Sequence, residues 1–158
     1  MSKVYRLLRK KFSATPFDGE GSFRFGGRWS SVGTRVVYTA EHLSLAMIEY
    51  LAHIDPSLAP EDPVLAVAEV PDTVSRIRIP ANKLARNWKL YPAPHTLAKY
   101  GDSFASDAKA AILIIPSVIA DTEDNWILNP AHPDFQLISK PSVMPYPLDP
   151  RILASKEL

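Results

Sequence analysis

Glu49 lies inside the apolar run Leu45-Ala46-Met47-Ile48-Glu49-Tyr50-Leu51-Ala52. On a helix, its neighbours three and four positions away are Leu45, Ala46, Ala52 and His53. A carboxylate in that setting is partly buried, so it needs a cation or a hydrogen-bond donor, or it takes up a proton. The same pattern also admits a glutamate on the helix edge, close to solvent. Upstream, Phe23-Arg24-Phe25-Gly26-Gly27-Arg28-Trp29 sets two arginines beside two glycines and three aromatics. Paired glycines let a backbone approach a ligand closely, and a guanidinium beside them can grip phosphate or carboxylate in a fork. From composition alone, a tight turn with Arg28 packed on Trp29 is the more ordinary reading of these residues. Tyr38 closes a β-branched stretch just before the Glu49 helix, as a core residue or as part of a site.

Other chemistries lack their residues. The only Gly-x-Gly is Gly19-Glu20-Gly21, with no strand before it and no third glycine at dinucleotide-binding spacing. No Walker A loop and no Gly-x-Ser-x-Gly elbow occurs. His42, His53, His95 and His132 form no metal pair at helical spacing. The absence of cysteine excludes a thiol nucleophile, a cysteine zinc site and a disulfide framework.

Several elements must position the candidates. Lys3–Leu8 alternates as a strand, and Arg9-Lys10-Lys11 reads as its solvated end. Ser13–Ser31 is rich in Gly, Ser and aromatics and reads as a loop held by specific contacts. Arg35–Thr39 is a strand. Leu43, Ala46, Met47, Tyr50, Leu51 and Ile54 recur at spacings of three and four, giving a helix over about Ala40–Ile54. Thr39 is its expected cap, Glu41 lies in its first turn, and Asp55-Pro56 is its stop. Val64–Val70 and Ser75–Ile79 read as strands and Asn82–Trp88 as a short helix. Thr96–Phe104 reads as a helix with Gly101 as a weak point. Ala110–Ile115 reads as a buried central strand, Trp126–Leu128 as a short strand, Asn129–Pro133 as a turn and Phe135–Ser139 as a strand. The tail beyond Pro141 reads as an irregular edge.

The whole is expected to be a single compact α+β domain over 1–158, with helices inserted among mainly antiparallel strands. Its 158 residues, 46% hydrophobic and 22% charged, suffice for a real core. Lys+Arg 18 against Asp+Glu 17 gives no global electrostatic reason to bind nucleic acid or anionic lipid. Proline is abundant, 15 residues, of which 14 follow residue 50, which disfavours long helices there. The longest apolar run, Ala110–Ile115, is six residues, far short of the roughly 20 that a spanning helix needs. The charged start Met1-Ser2-Lys3-Val4-Tyr5-Arg6 is unlike a signal peptide. A soluble cytoplasmic protein is expected.

Six motifs then stand in one order. They are Tyr5-Arg6, Gly26-Gly27-Arg28-Trp29, Val37-Tyr38-Thr39-Ala40-Glu41, Leu45-Ala46-Met47-Ile48-Glu49, Pro116-Ser117 and Asn125-Trp126-Ile127-Leu128-Asn129-Pro130-Ala131-His132-Pro133. In order and spacing they closely resemble the RES domain, a family named for its arginine, glutamate and serine, over about residues 3–140. The resemblance implies a fold similar to the diphtheria-type ADP-ribosyltransferase domains. It also implies a toxin of a type II toxin–antitoxin pair, partnered by an Xre-like antitoxin and arresting growth by degrading NAD⁺ through phosphorolysis or hydrolysis. Some relatives instead transfer ADP-ribose to a host protein. NAD⁺ is then substrate, with no cofactor and no metal implied.

Carried over residue by residue, the site falls on Arg6, Arg28, Tyr38, Glu49 and Ser117, with Asn129 as an additional candidate. Cleaving the nicotinamide–ribose bond passes through an oxocarbenium-like centre, which Glu49 is expected to stabilise. Arg6 and Arg28 suit the pyrophosphate or a phosphate nucleophile, Tyr38 a stack on nicotinamide, and Ser117 a hydrogen bond to nicotinamide or ribose. One departure stands out: the family commonly has Asn-Pro after Gly-Gly-Arg-Trp, where this chain has Ser30-Ser31. A non-catalytic module that merely holds a partner is the reading from another class. Arg, Tyr, Glu and Ser at every motif position argue against it.

Overall fold

Alternation builds β1 (Ser2–Arg9), with Val4 and Leu8 entering one core and Tyr5 and Leu7 the opposite one. The computed structural model describes residues 1–54 and 62–153. Within them a helix α1 (Glu20–Phe25) leads to β2 (Val37–Ala40) and the helix α2 (Leu43–His53). Then come β3 (Pro63–Val70), β4 (Arg76–Arg78), the helix α3 (Lys99–Asp107), β5 (Ile112–Pro116) and β6 (Asp124–Leu128). The edge strand β7 (Ser142–Pro145) and a turn of helix, α4 (Pro150–Leu153), follow.

The strands form one mixed seven-stranded sheet in the order β4-β5-β6-β2-β1-β3-β7. Among the described residues, the β4–β5 pair alone is parallel. β1 pairs with β3 along its whole length, from Ser2↔Val70 to Arg9↔Pro63, yet meets β2 only at Tyr5↔Ala40. The sheet is therefore two halves hinged at a single pair. α2 lies across this joint: Leu45 and Ala46 pack on Ala40, Tyr5 and Ala120. Met47, Tyr50 and Leu51 pack on Leu7, Leu65 and Val67. Burying Leu45 completely contributes about 1.5–3 kcal/mol.

The other face of both halves shares one core, in which Val4, Val37, Ala66, Ile112, Ile114 and Leu128 meet. A separate cluster of Trp29, Val36, Leu97, Phe104, Leu113 and Ile127 joins α3 and the loop after α1 to the sheet.

Several local expectations need correction. α2 starts at Leu43, not Ala40, because Ala40 is still paired with Asn125 in the sheet. Thr39 caps nothing: it lies in β2, and its hydroxyl donates to the Trp126 carbonyl at 2.6 Å. Glu41 precedes the helix and accepts from the Asp124 amide at 2.8 Å. The expected stop at Asp55-Pro56 lies outside the described residues. Ser13–Ser31 is not loop throughout, since α1 interrupts it between Gly19 and Gly26, both with positive φ. In place of a helix over Asn82–Trp88 stand a 3-10 turn at Ala81–Lys83 and a hydrogen-bonded turn from the Trp88 amide to the Ala85 carbonyl.

Phe135–Ser139 is no strand. Pro133 opens a 3-10 turn, Pro133–Leu137, and the His132 ring nitrogen accepts from the Asp134 amide. β5 is fully buried as expected, but it sits next to the β4 edge rather than at the centre. The tail supplies a regular edge strand, β7 against β3. Gly101, expected as a weak point of its helix, is a close-approach position instead. A Cβ there would lie 2.0 Å from the Trp29 carbonyl oxygen.

Candidate active site

Glu49 lies half-buried on α2, and its carboxylate accepts a hydrogen bond of 2.7 Å from the Ser117 hydroxyl. Ser117 follows the end of β5 and is completely buried. Its oxygen also accepts from the amides of Ile119 at 3.1 Å and Ala120 at 3.2 Å. That serine is thus filled: two backbone donors orient the hydroxyl, and its one proton goes to Glu49. The same turn is fixed to α2 by Ala120, which packs against Leu45 and Ala46. Strand end, turn and helix lock the carboxylate from two sides.

Arg28 approaches from the loop. Its NH1 nitrogen donates to the carbonyls of Trp88 at 3.0 Å and Leu90 at 2.7 Å, which aims the guanidinium. Burial depresses the Arg28 pKa, while the charge of Glu49 works to raise it, so the two charges lie near enough to interact. The expected stack of Arg28 on Trp29 is not what holds it. Trp29 packs instead against Trp88, ring centres 6.3 Å apart, and edge-on to Tyr100 at 5.8 Å.

Tyr38 supports the loop from below. Its hydroxyl accepts from the Trp29 amide at 3.3 Å and shares a 2.7 Å bond with the Ser30 hydroxyl. A Cβ on Gly27 would lie 2.7 Å from that hydroxyl, which is why the glycine is needed at this position. Burial pushes the Tyr38 phenol up to about 12, against the hydrogen bonds from Ser30 and Trp29. It stays neutral across the physiological range.

The other two candidates stand apart. Strand alternation turns Arg6 away from the α2 face, beside Val4 and Leu8. Its guanidinium donates to the Pro16 carbonyl at 2.7 Å and lies 3.9 Å from where a Gly21 Cβ would be. Burial lowers its pKa and Asp18 opposes the shift. Arg6 thus braces the chain that leads into α1.

Asn129 follows the far end of β6. The β5–β6 register from Pro116↔Asp124 to Ile112↔Leu128 separates it from Ser117 by about six residues, roughly 20 Å. Buried there, its side-chain oxygen accepts from the Ala131 amide at 3.0 Å and its amide nitrogen donates to the Ala105 carbonyl. It shapes a turn, away from Glu49. The structure therefore joins Glu49 to Ser117 and ties Tyr38 to the loop that carries Arg28, whereas Arg6 and Asn129 make their contacts elsewhere.

Two contributors escape a reading of the sequence. The carbonyls of Trp88 and Leu90 aim Arg28, and Asp102 on α3 accepts from the Ser31 amide at 2.8 Å, the Ser31 hydroxyl at 2.5 Å and the Thr34 hydroxyl at 2.8 Å. The polar pair Ser30-Ser31 is their only trace. A groove of about 330 Å³ lies elsewhere, between β4 and α3 around Ile77, Ile79, Tyr100 and Phe104. Among the described residues, no three His, Cys, Asp or Glu side chains are grouped to hold a metal. Nor is any helix among them long and apolar enough to cross a membrane.

The arrangement is that of an α+β domain that carries a fixed carboxylate on a helix and a fixed guanidinium on a loop. The family model described as the RES domain matches residues 3–149. The chain belongs to the RES domain family. It is 34% identical over 147 residues to the Prs ADP-ribosylating toxin of Sphingobium sp., covering 91% of both chains. It is 32% identical over 150 residues to Toxin Res of Yersinia enterocolitica, covering 94% of this chain and 98% of that one. In fold it is similar to a chain in the crystal structure of the M. tuberculosis MbcT–MbcA toxin–antitoxin complex. There the TM-score is 0.68 at 16% identity, over 96% of this chain and 86% of that one.

Proposed function

We propose that this protein is the toxin of a toxin–antitoxin pair and that it cleaves the nicotinamide–ribose bond of NAD⁺ at the Glu49 centre. The observation that carries the reading is the Glu49 carboxylate, half-buried on α2 and fixed by the Ser117 hydroxyl, with the charge of Arg28 near enough to interact with it. In the reaction, the bond from the ribose anomeric carbon to the nicotinamide nitrogen breaks. Nicotinamide leaves neutral with the electron pair, and the ribose carbon becomes cationic. A fixed carboxylate lowers that barrier because it is already oriented toward the developing charge. Arg28 binds the pyrophosphate, or the incoming phosphate when that is the nucleophile. An oxygen of water or phosphate then bonds to the carbon, giving ADP-ribose or its phosphate ester, and water releases one proton. Ser117 acts through Glu49. Tyr38 holds the loop through its hydroxyl and offers its ring to the nicotinamide.

Such a toxin works where the NAD⁺ pool lies, in the cytoplasm, until an Xre-like antitoxin binds it. The test is the loss of NAD⁺ with purified protein, with and without inorganic phosphate, with products resolved. Free nicotinamide with ADP-ribose marks hydrolysis, and phosphate-dependent loss marks phosphorolysis. No loss in either condition contradicts the reading. A second reading draws on the Sphingobium relative named as an ADP-ribosylating toxin. In it the same donor step delivers ADP-ribose to a protein side chain, and transfer of label from NAD⁺ to protein in a lysate distinguishes it.

A further inference from the structure

We propose that Asp102 is a positioning residue for Arg28: with Gly101 it clamps the loop Gly26–Thr34 onto α3, and this clamp sets where the guanidinium stands. Two consecutive residues of α3 grip the loop on either side of Ser30. The Gly101 amide donates to the Trp29 carbonyl at 2.7 Å. It belongs to the first turn of α3, where an amide has no partner inside the helix and is free for this bond. Asp102 takes the other side with the Ser31 amide, the Ser31 hydroxyl and the Thr34 hydroxyl.

The carboxylate is half-buried, and among the described residues no lysine, arginine or histidine forms an ion pair with it. Its oxygens are aimed at the loop, so its work is done there. Arg28 is one residue from Trp29, inside the turn closed by the Gly27 amide on the Ser30 carbonyl at 2.8 Å, and the Tyr38 hydroxyl holds the Trp29 amide. Released from α3, the chain at residues 29–34 keeps its cross-links to Ser22, Phe23 and Tyr38 and loses the hydrogen bonds that tie it to α3.

This inference rests on the proposed NAD⁺ reading for its kinetic readout, and hydrogen exchange supplies a readout independent of it. Asp102→Ala removes all three bonds. The KM for NAD⁺ is expected to rise about tenfold or more while kcat changes by less than about threefold, because Arg28 binds the substrate before the bond breaks. Asp102→Asn recovers most of that loss. Its carbonyl oxygen accepts from the Ser31 amide and the Thr34 hydroxyl, and its amide donates to the Ser31 oxygen, reversing one bond.

The decisive arm is a cycle with Arg28→Ala. A residue acting through Arg28 adds little KM effect once Arg28 is gone, whereas equal KM effects in both backgrounds overturn the proposal. An unchanged KM with a lowered melting temperature overturns it as well. Should Asp102→Ala fail to fold, Ser31→Ala, which removes one bond, gives a smaller KM rise with the same dependence on Arg28, and no rise refutes the clamp. Amide exchange is measured alongside on wild type and Asp102→Asn or Asp102→Ala. If wild-type protein consumes no NAD⁺, the proposed function fails. The clamp is then judged on exchange alone: faster exchange of the Ser31 and Gly101 amides in Asp102→Ala supports it, and unchanged exchange contradicts it.

Discussion

Glu49 and Arg28, the two charged candidates, are held by opposite means. Glu49 rides on α2, whose apolar side is pressed into the joint of the two half-sheets, and a single hydrogen bond from Ser117 finishes the job. Arg28 rides on irregular chain anchored by the buried ring of Trp29, and the guanidinium and the backbone around it are placed by hydrogen bonds: Trp88 and Leu90 carbonyls, the Tyr38 hydroxyl, the Asp102 carboxylate. Apolar packing is tolerant of small geometric change and resists unfolding as a block. A hydrogen-bonded loop depends on each donor and acceptor, and each left unmatched carries a penalty. The carboxylate side is thus built for stability and the arginine side for close placement of one group.

The contrast is sharpest at the charge itself. Glu49→Gln keeps the size and an oxygen for Ser117, so melting should shift little. Nicotinamide release should fall by about 10³-fold, the scale of removing one preorganised electrostatic group. Next comes the helix: Leu45→Ala in the joint should cost about 2–5 kcal/mol, read as a drop in unfolding midpoint, and lower activity only through loss of folded protein. On the loop side, Arg28→Ala should raise the KM for NAD⁺ by about 10–100-fold with little loss of stability, since Trp29 keeps its aromatic neighbours. A fallen midpoint with unchanged KM would mean that Arg28 is structural and the comparison is wrong.

The smallest effect belongs to Tyr38→Phe, which strands the Trp29 amide and the Ser30 hydroxyl at about 1–2 kcal/mol. It also carries a pH signature. The folded phenol titrates at about 12 against 10.0 in the free side chain, so folding favours the neutral form. Stability from this group is whole below pH 10 and is lost as pH climbs toward 12. Alkaline unfolding should be less steep in the phenylalanine variant.

The same contrast separates the legible parts of the sequence from the silent ones. α2 and its glutamate are legible because packing imposes a period, and Leu45, Ala46, Met47, Tyr50 and Leu51 obey it. β1, β3 and the apolar β5 are legible for the same reason. The loop has no period to show. Its partners lie 60 or more residues away at Trp88, Leu90 and Asp102, and nothing local signals a carbonyl waiting for a guanidinium. Helix propensity misjudges Gly101, because the close approach of Trp29 is a tertiary fact. Phe135 misleads by its β-forming neighbours, where Pro133 and the His132 ring decide for a 3-10 turn. Asn129 sits in a motif contiguous with β6 and still belongs to the opposite end of the sheet from Ser117. Order along the chain marks the family's residues and leaves their grouping to the fold.

The most direct measurement of the central claim is nicotinamide released from NAD⁺ by purified wild-type protein and by Glu49→Gln, in phosphate buffer, with both melting curves recorded. The account predicts steady release by wild type, background release by the variant and near-superimposable melting. Near wild-type release by a folded Glu49→Gln would contradict it.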